Sequence, residues 1–116
     1  MSNRIIAIVE DDFLLSLVIS KHFLKKGFEC QSFSNAEDFL EFLKLNPQLH
    51  AVILDVKLKG LIDGIELSSS IPDGIAIIFC TGNSDLTKAE WTNPQIKAVL
   101  IKPIDLQELS NVVESI

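Results

Sequence analysis

Five short apolar runs limit what this chain can become more than any other feature. They are Arg4–Val9 (RIIAIV), Phe28–Phe33, Ala51–Asp55 (AVILD), Ile75–Cys80 (IAIIFC) and Lys97–Ile101, with helix-like patterns between them. An uninterrupted apolar run of this length reads as a strand buried on both faces, the condition of a parallel sheet covered by helices on each side. Phe28–Phe33 alternates only imperfectly and is expected towards an edge. Strands alternating with helices predict an α/β doubly wound sheet. Right-handed crossovers leave few topologies, of which the five-stranded order 2-1-3-4-5 is the common one.

The intervening segments carry helix signals. From Asp12 to Lys26, Leu14, Leu17, Val18 and Leu24 recur at helical spacing. Acids open this segment, two lysines close it, and Gly27 supplies a stop. Ser34-Asn35-Ala36-Glu37 has capping-box spacing, with Phe39, Leu40, Phe42 and Leu43 as the apolar stripe of the helix that follows. A short third helix is expected from about Gly64 to Ser70, weakened by three serines. A poorly amphipathic helix is expected over residues 84–91. Asp105 is placed as the cap of a last helix that uses Leu106, Leu109, Val112 and Val113.

At 116 residues the chain is expected to form one domain over residues 1–116, and 47% hydrophobic content argues against disorder. A formal net charge of −6 opposes nonspecific attraction to nucleic acid or an anionic membrane. No apolar run approaches the roughly 18 residues of a membrane span, and no signal-peptide pattern opens the chain. Cys30 and Cys80 are too few and too isolated for a disulfide framework or a zinc site. A cytoplasmic setting is expected. His22 and His50 are read as structural or exposed, Cys80 as core, and Trp91 as packing.

Chemistry concentrates where the strands end. Ligands in such sheets bind beyond the carboxyl ends of the strands. The first strand ends in Glu10-Asp11-Asp12 and the third in Asp55. In the expected order these two strands are neighbours roughly 4.8 Å apart, so Glu10, Asp11 and Asp55 should converge. Like charges this close need a raised pKa or a cation. An all-oxygen, solvent-facing set suits Mg²⁺. The fourth strand ends in the Thr81 hydroxyl and the fifth in the Lys102 ammonium. A carboxylate nucleophile, a divalent ion, a hydroxyl and a fixed lysine together suit phosphoryl transfer to Asp55. Asp12 is explained equally well as a helix cap.

With V-E-D-D at 9–12, I-L-D at 53–55, D-G-I-E-L at 63–67, C-T-G at 80–82 and I-K-P at 101–103, the whole chain resembles the receiver domains of two-component response regulators. The resemblance implies the flavodoxin-like fold and Asp55 as acceptor of a phosphoryl group from a histidine-kinase phosphohistidine. It implies Mg²⁺ held by Asp11, Asp55 and the Lys57 carbonyl, with Glu10 acting mainly through water, and phosphoryl oxygens met by Thr81 and Lys102. It also implies a cis Lys102–Pro103 bond. Expected partners are a histidine kinase or phosphotransfer protein and a downstream target or fused output domain, with a homodimer left open. The domain would modify itself and turn over no external metabolite, so it is not expected to be an enzyme.

The chain departs from the family pattern at Val99, where an aromatic residue usually partners the Thr81-type hydroxyl. Signalling is therefore expected to run through displacement of residues 82–96 rather than an aromatic rotation. The interval from Asp55 to Thr81 is short for the family by about a helical turn. Lys57 and Asn83 flank the phosphate position and are expected to tune its loss to water. The residues alone also admit a phosphorylation-independent interaction module of the same fold. A flavin binder or small α/β enzyme is a further class, though no glycine-rich loop follows the first strand.

Overall fold

The computed structural model describes residues 4–58, 60, 62–82 and 93–116. Five parallel strands form one sheet: β1 (Ile5–Val9), β2 (Glu29–Phe33), β3 (Leu49–Asp55), β4 (Ala76–Thr81) and β5 (Ile96–Ile101). Their order is β2-β1-β3-β4-β5, as the apolar runs predicted, with β2 at an edge. β3 lies centrally because six of its seven residues are buried, whereas β2 keeps none buried.

Four helices complete the described chain: α1 (Phe13–Lys25), α2 (Ala36–Leu43), α3 (Gly64–Ser68) and α4 (Leu106–Glu114). The third is stunted, at five residues. The helix expected over 84–91, with Trp91, and the candidate residue Asn83 lie outside the described residues.

Alternation along the strands divides the core in two. Ala7, Val9, Val52, Leu54, Ile77 and Phe79 face α2 and α3, packing with Phe39 and Leu67. Ile6, Ile8, Ile53, Ile78 and Cys80 face α1 and α4, packing with Ile19, Phe23, Leu109 and Val113. His50 is structural: its Nε2 lies 3.0 Å from the Val113 carbonyl, joining β3 to the end of α4.

Two local expectations change. On α1 the stripe Leu14, Leu17, Val18 and Leu24 is exposed, and the buried face is Ser16, Ile19 and Phe23. Both sets recur at helical spacing, so periodicity alone could not choose between them; the sheet takes the branched and aromatic pair. On α2 the cap is Asn35 rather than Ser34. Asp38 N–H donates to Asn35 Oδ1 at 2.8 Å, and Asn35 Nδ2 donates back to Asp38 Oδ2 at 3.2 Å. The cap thus sits one residue later than expected, and its return bond joins the two side chains instead of reaching the Asn35 main-chain N–H as in a capping box. Asp12 and Asp105 cap α1 and α4 in the expected way, and Gly27 at φ +91° follows the end of α1.

Candidate functional site

The site is built from residues at the carboxyl rim of the sheet, each held by a hydrogen bond near its strand's end. Glu10 follows β1, and its N–H donates to the Phe33 carbonyl at 3.0 Å. Asp55 closes β3, and the next residue's N–H, on Val56, donates to the Cys80 carbonyl at 3.2 Å. Thr81 closes β4 and is fully buried. Its carbonyl accepts from Lys102 N–H at 2.8 Å, which fixes where the lysine leaves β5. The Lys102–Pro103 bond is cis.

The side chains meet above this rim. Glu10, Asp11 and Asp55 each offer a carboxylate oxygen, all within 4.8 Å of one another. Lys102 Nζ donates to Glu10 Oε1 at 2.6 Å and stands 3.6 Å from Asp55 Oδ2. Asp55 Oδ1 accepts from Lys57 N–H at 3.1 Å, so the Asp55 carboxylate is gripped from its own loop. The Lys57 side chain is exposed. Thus the structure brings together Glu10, Asp11, Asp55 and Lys102, and it places Thr81 on the strand end beside them.

Two buried carboxylates and one ammonium leave excess negative charge, and Glu10 carries the strain. Burial first, then neighbouring Asp55, pushes its carboxyl up to about 7 against the pull of Lys102. Burial alone would lower the Lys102 ammonium, but Glu10 and Asp55 outweigh it and raise its pKa. Burial foremost pushes the Cys80 thiol up to about 12, so it behaves as core rather than as a nucleophile.

The residues fit a magnesium ion. Glu10 Oε2 is buried without a hydrogen-bond partner, a costly state that a cation would relieve. The donors are all oxygen, the chemistry Mg²⁺ prefers. Val99 is half-buried against the core on the α2 side.

A feature the sequence reading missed lies beside the site. Phe13 and Leu17 of α1, with Phe33 of β2, wall a groove of about 260 Å³ whose other lining includes Glu10, Asp11 and Ser16. Phe13 and Leu14 are 75% and 70% exposed. The available signal was a helix apolar on more than one face, which leaves something over after the core is filled.

Comparison with known proteins agrees with this geometry. The sequence model of the response regulator receiver domain matches residues 6–114. Sporulation initiation phosphotransferase F of Bacillus subtilis is 28% identical over 98% of this chain and 94% of its own length. The heme response regulator HssR of Staphylococcus epidermidis is 31% identical over 72% of this chain, a region that makes up 37% of that protein. Among solved structures, a CheY-like receiver domain protein from Methanospirillum hungatei superposes with a TM-score of 0.87 at 23% identity. That match covers 98% of this chain and 93% of the other. A CheY-like receiver domain from Methylobacillus flagellatus superposes at 0.83 with 22% identity over 98% of each chain.

Proposed function

This chain belongs to the response regulator receiver domain family, and we propose that it accepts a phosphoryl group on Asp55 from the phosphohistidine of a histidine kinase or phosphotransfer protein. The observation that carries the reading is the placement of Asp55 between two neighbouring carboxylates and a lysine, at the buried end of the central strand.

An Asp55 carboxylate oxygen attacks phosphorus, the P–N bond of the phosphohistidine breaks, and the leaving imidazole nitrogen takes the bond's electron pair. The Lys57 N–H holds Asp55 Oδ1, which orients the carboxylate. Lys102 lies within reach of the incoming phosphoryl oxygens once it swings from Glu10, and the Thr81 hydroxyl is the second donor for them. Asp11, Asp55, the Lys57 carbonyl and, more distantly, Glu10 would hold Mg²⁺. When bound, it supplies positive charge against the phosphoryl oxygens. The domain turns over no metabolite; its product is its own acyl phosphate.

The exposed face of α1 adjoins this site through the groove shared by Phe13, Leu17, Glu10 and Asp11. It is read as the surface that the phosphodonor protein covers. Output then passes to a separate target or a fused domain through the segment joining β4 to β5. The unpaired thiols Cys30 and Cys80 accord with a cytoplasmic location.

Acetyl phosphate with magnesium, followed by phosphate-affinity electrophoresis, tests the reading. A slowed band is expected for the wild type and none for Asp55→Asn or in excess EDTA. An unmodified wild-type protein would instead mark an interaction module that works without phosphorylation.

A further inference from the structure

Glycine is required at position 64 for lack of space, not for backbone freedom. A Cβ built there falls on the carbonyl oxygen of Asp55 and lies 2.8 Å from Val56 Cα. Both obstacles are main-chain atoms of the acceptor segment, which cannot turn aside as a side chain tip can. The approach is held in place from both directions. Gly64 N–H donates to the Val56 carbonyl at 2.9 Å, so the first residue of α3 is tied to the residue after Asp55. Behind it, Leu67 is fully buried in the core and prevents α3 from backing away. On the acceptor side, Val56 and Leu58 are buried pegs, and β4 pairs Cys80 with Asp55.

The Asp55 backbone therefore has the sheet on one side and the start of α3 on the other, in van der Waals contact with no slack. We infer that Gly64 is a positioning residue: by letting α3 begin against the Asp55 carbonyl, it sets where the acceptor carboxylate stands relative to Glu10, Asp11 and Lys102. The inference rests on the reading of Asp55 as phosphoacceptor. A methyl group at 64 would push either α3 outwards or Asp55 along the rim. Misplacement of a reacting group by about 1 Å can cost on the order of 100-fold in rate.

The experiment follows the carboxyl ¹³C resonance of Asp55 in magnesium-free protein, then magnesium affinity by calorimetry, in the full 116-residue chain. Gly64→Ala is expected to move the resonance, weaken magnesium binding about tenfold and slow acetyl phosphate incorporation by up to about 100-fold. Leu109→Val, a core change on the opposite helical layer, is expected to lower stability while leaving resonance and affinity unchanged.

Should Gly64→Ala not fold, Asp63→Ala serves in its place. Asp63 Oδ1 accepts from Glu66 N–H at 2.9 Å and caps α3, so its loss frays the same contact from outside. Its resonance and affinity should shift in the same direction by less, and Asp63→Asn, which retains the cap without the charge, should restore both. Wild-type values in the substituted protein, equal shifts in Leu109→Val, or failure of Asp63→Asn to restore them would overturn the inference. A wild type that takes up no phosphoryl group would instead remove the receiver reading, and the Asp55 resonance would still decide the role of Gly64.

Discussion

Helices α1 and α2 cover opposite faces of one sheet and spend their apolar residues differently. α2 buries Ala36 and Phe39, half-buries Leu40, Phe42 and Leu43, and turns Glu37, Asp38 and Glu41 to water. α1 buries Ile19 and Phe23 but also turns Phe13, Leu14, Leu17, Val18 and Leu24 outwards. The sheet takes one apolar stripe from each helix, and the second on α1 is left exposed. Two of its members, Phe13 and Leu17, line the groove beside the acidic site. This is the surface proposed above as the one that the phosphodonor protein covers.

The comparison is sharpest where the two sets of residues can be tested against each other. Phe23→Ala and Phe39→Ala each remove a fully buried ring, and urea denaturation should show each losing about 3–5 kcal/mol. Phe13→Ala should stay within about 0.5 kcal/mol of wild type in the same assay. A large loss there would make the outer stripe part of the fold and end the distinction. The double change Phe13→Ser with Leu17→Ser should slow phosphotransfer from a cognate phosphohistidine protein by about tenfold or more, the cost expected for removing anchoring residues. Incorporation from acetyl phosphate, which needs no docking surface, should be unaffected. Equal slowing with both donors would place these residues in the chemistry rather than the encounter.

A smaller difference separates the helix starts. Asn35→Ala should cost about 1 kcal/mol, since it deletes a reciprocal cap. Asp12→Ala removes a longer bond to Leu15 N–H at 3.2 Å and should cost less by chemical denaturation.

A further difference is a pH dependence confined to the rim. In metal-free protein the Glu10 carboxyl sits at about 7, above its ordinary 4.5. As pH rises through that window the unfolded chain releases its proton while the folded one keeps it. Glu10's contribution to stability is therefore full below about 4.5 and lost as pH passes 7. In EDTA, melting temperatures of the wild type should decline relative to Glu10→Gln between these values and run parallel above them. Parallel curves throughout would show that Glu10 ionises as readily in the fold as out of it.

Much of this was legible in the sequence, and the reasons differ by residue. Continuous apolar runs such as Ala51–Leu54 are buried on both faces, so length and composition alone identify them as strands. Crossover handedness then brings Glu10 and Asp11 beside Asp55. The buried face of α1 was not legible, because two interleaved stripes satisfy the same period and only the shape of the sheet selects between them. The α2 cap was displaced by one residue because Ser34, Asn35, Glu37 and Asp38 support two overlapping boxes, and the choice rests on backbone direction at Asn35, which is extended. The pairing of Lys102 with Glu10 at 2.6 Å, closer than with Asp55 at 3.6 Å, depends on side-chain reach across two strands. The close packing of Gly64 was hidden for a different reason: within D-G-I-E-L it looks like an ordinary helix-start residue, and only the neighbouring backbone shows that no larger residue fits.

The hydrogen bonds from Val56 N–H to Cys80 and from Lys102 N–H to Thr81 continue the sheet's ladder past the ends of β3 and β5. Asp55, Thr81 and Lys102 are thereby spaced by strand geometry and not by the length of chain that joins them. On the function proposed above, the residues that would receive the phosphoryl group keep their spacing whatever the length of the connection from β4 to β5.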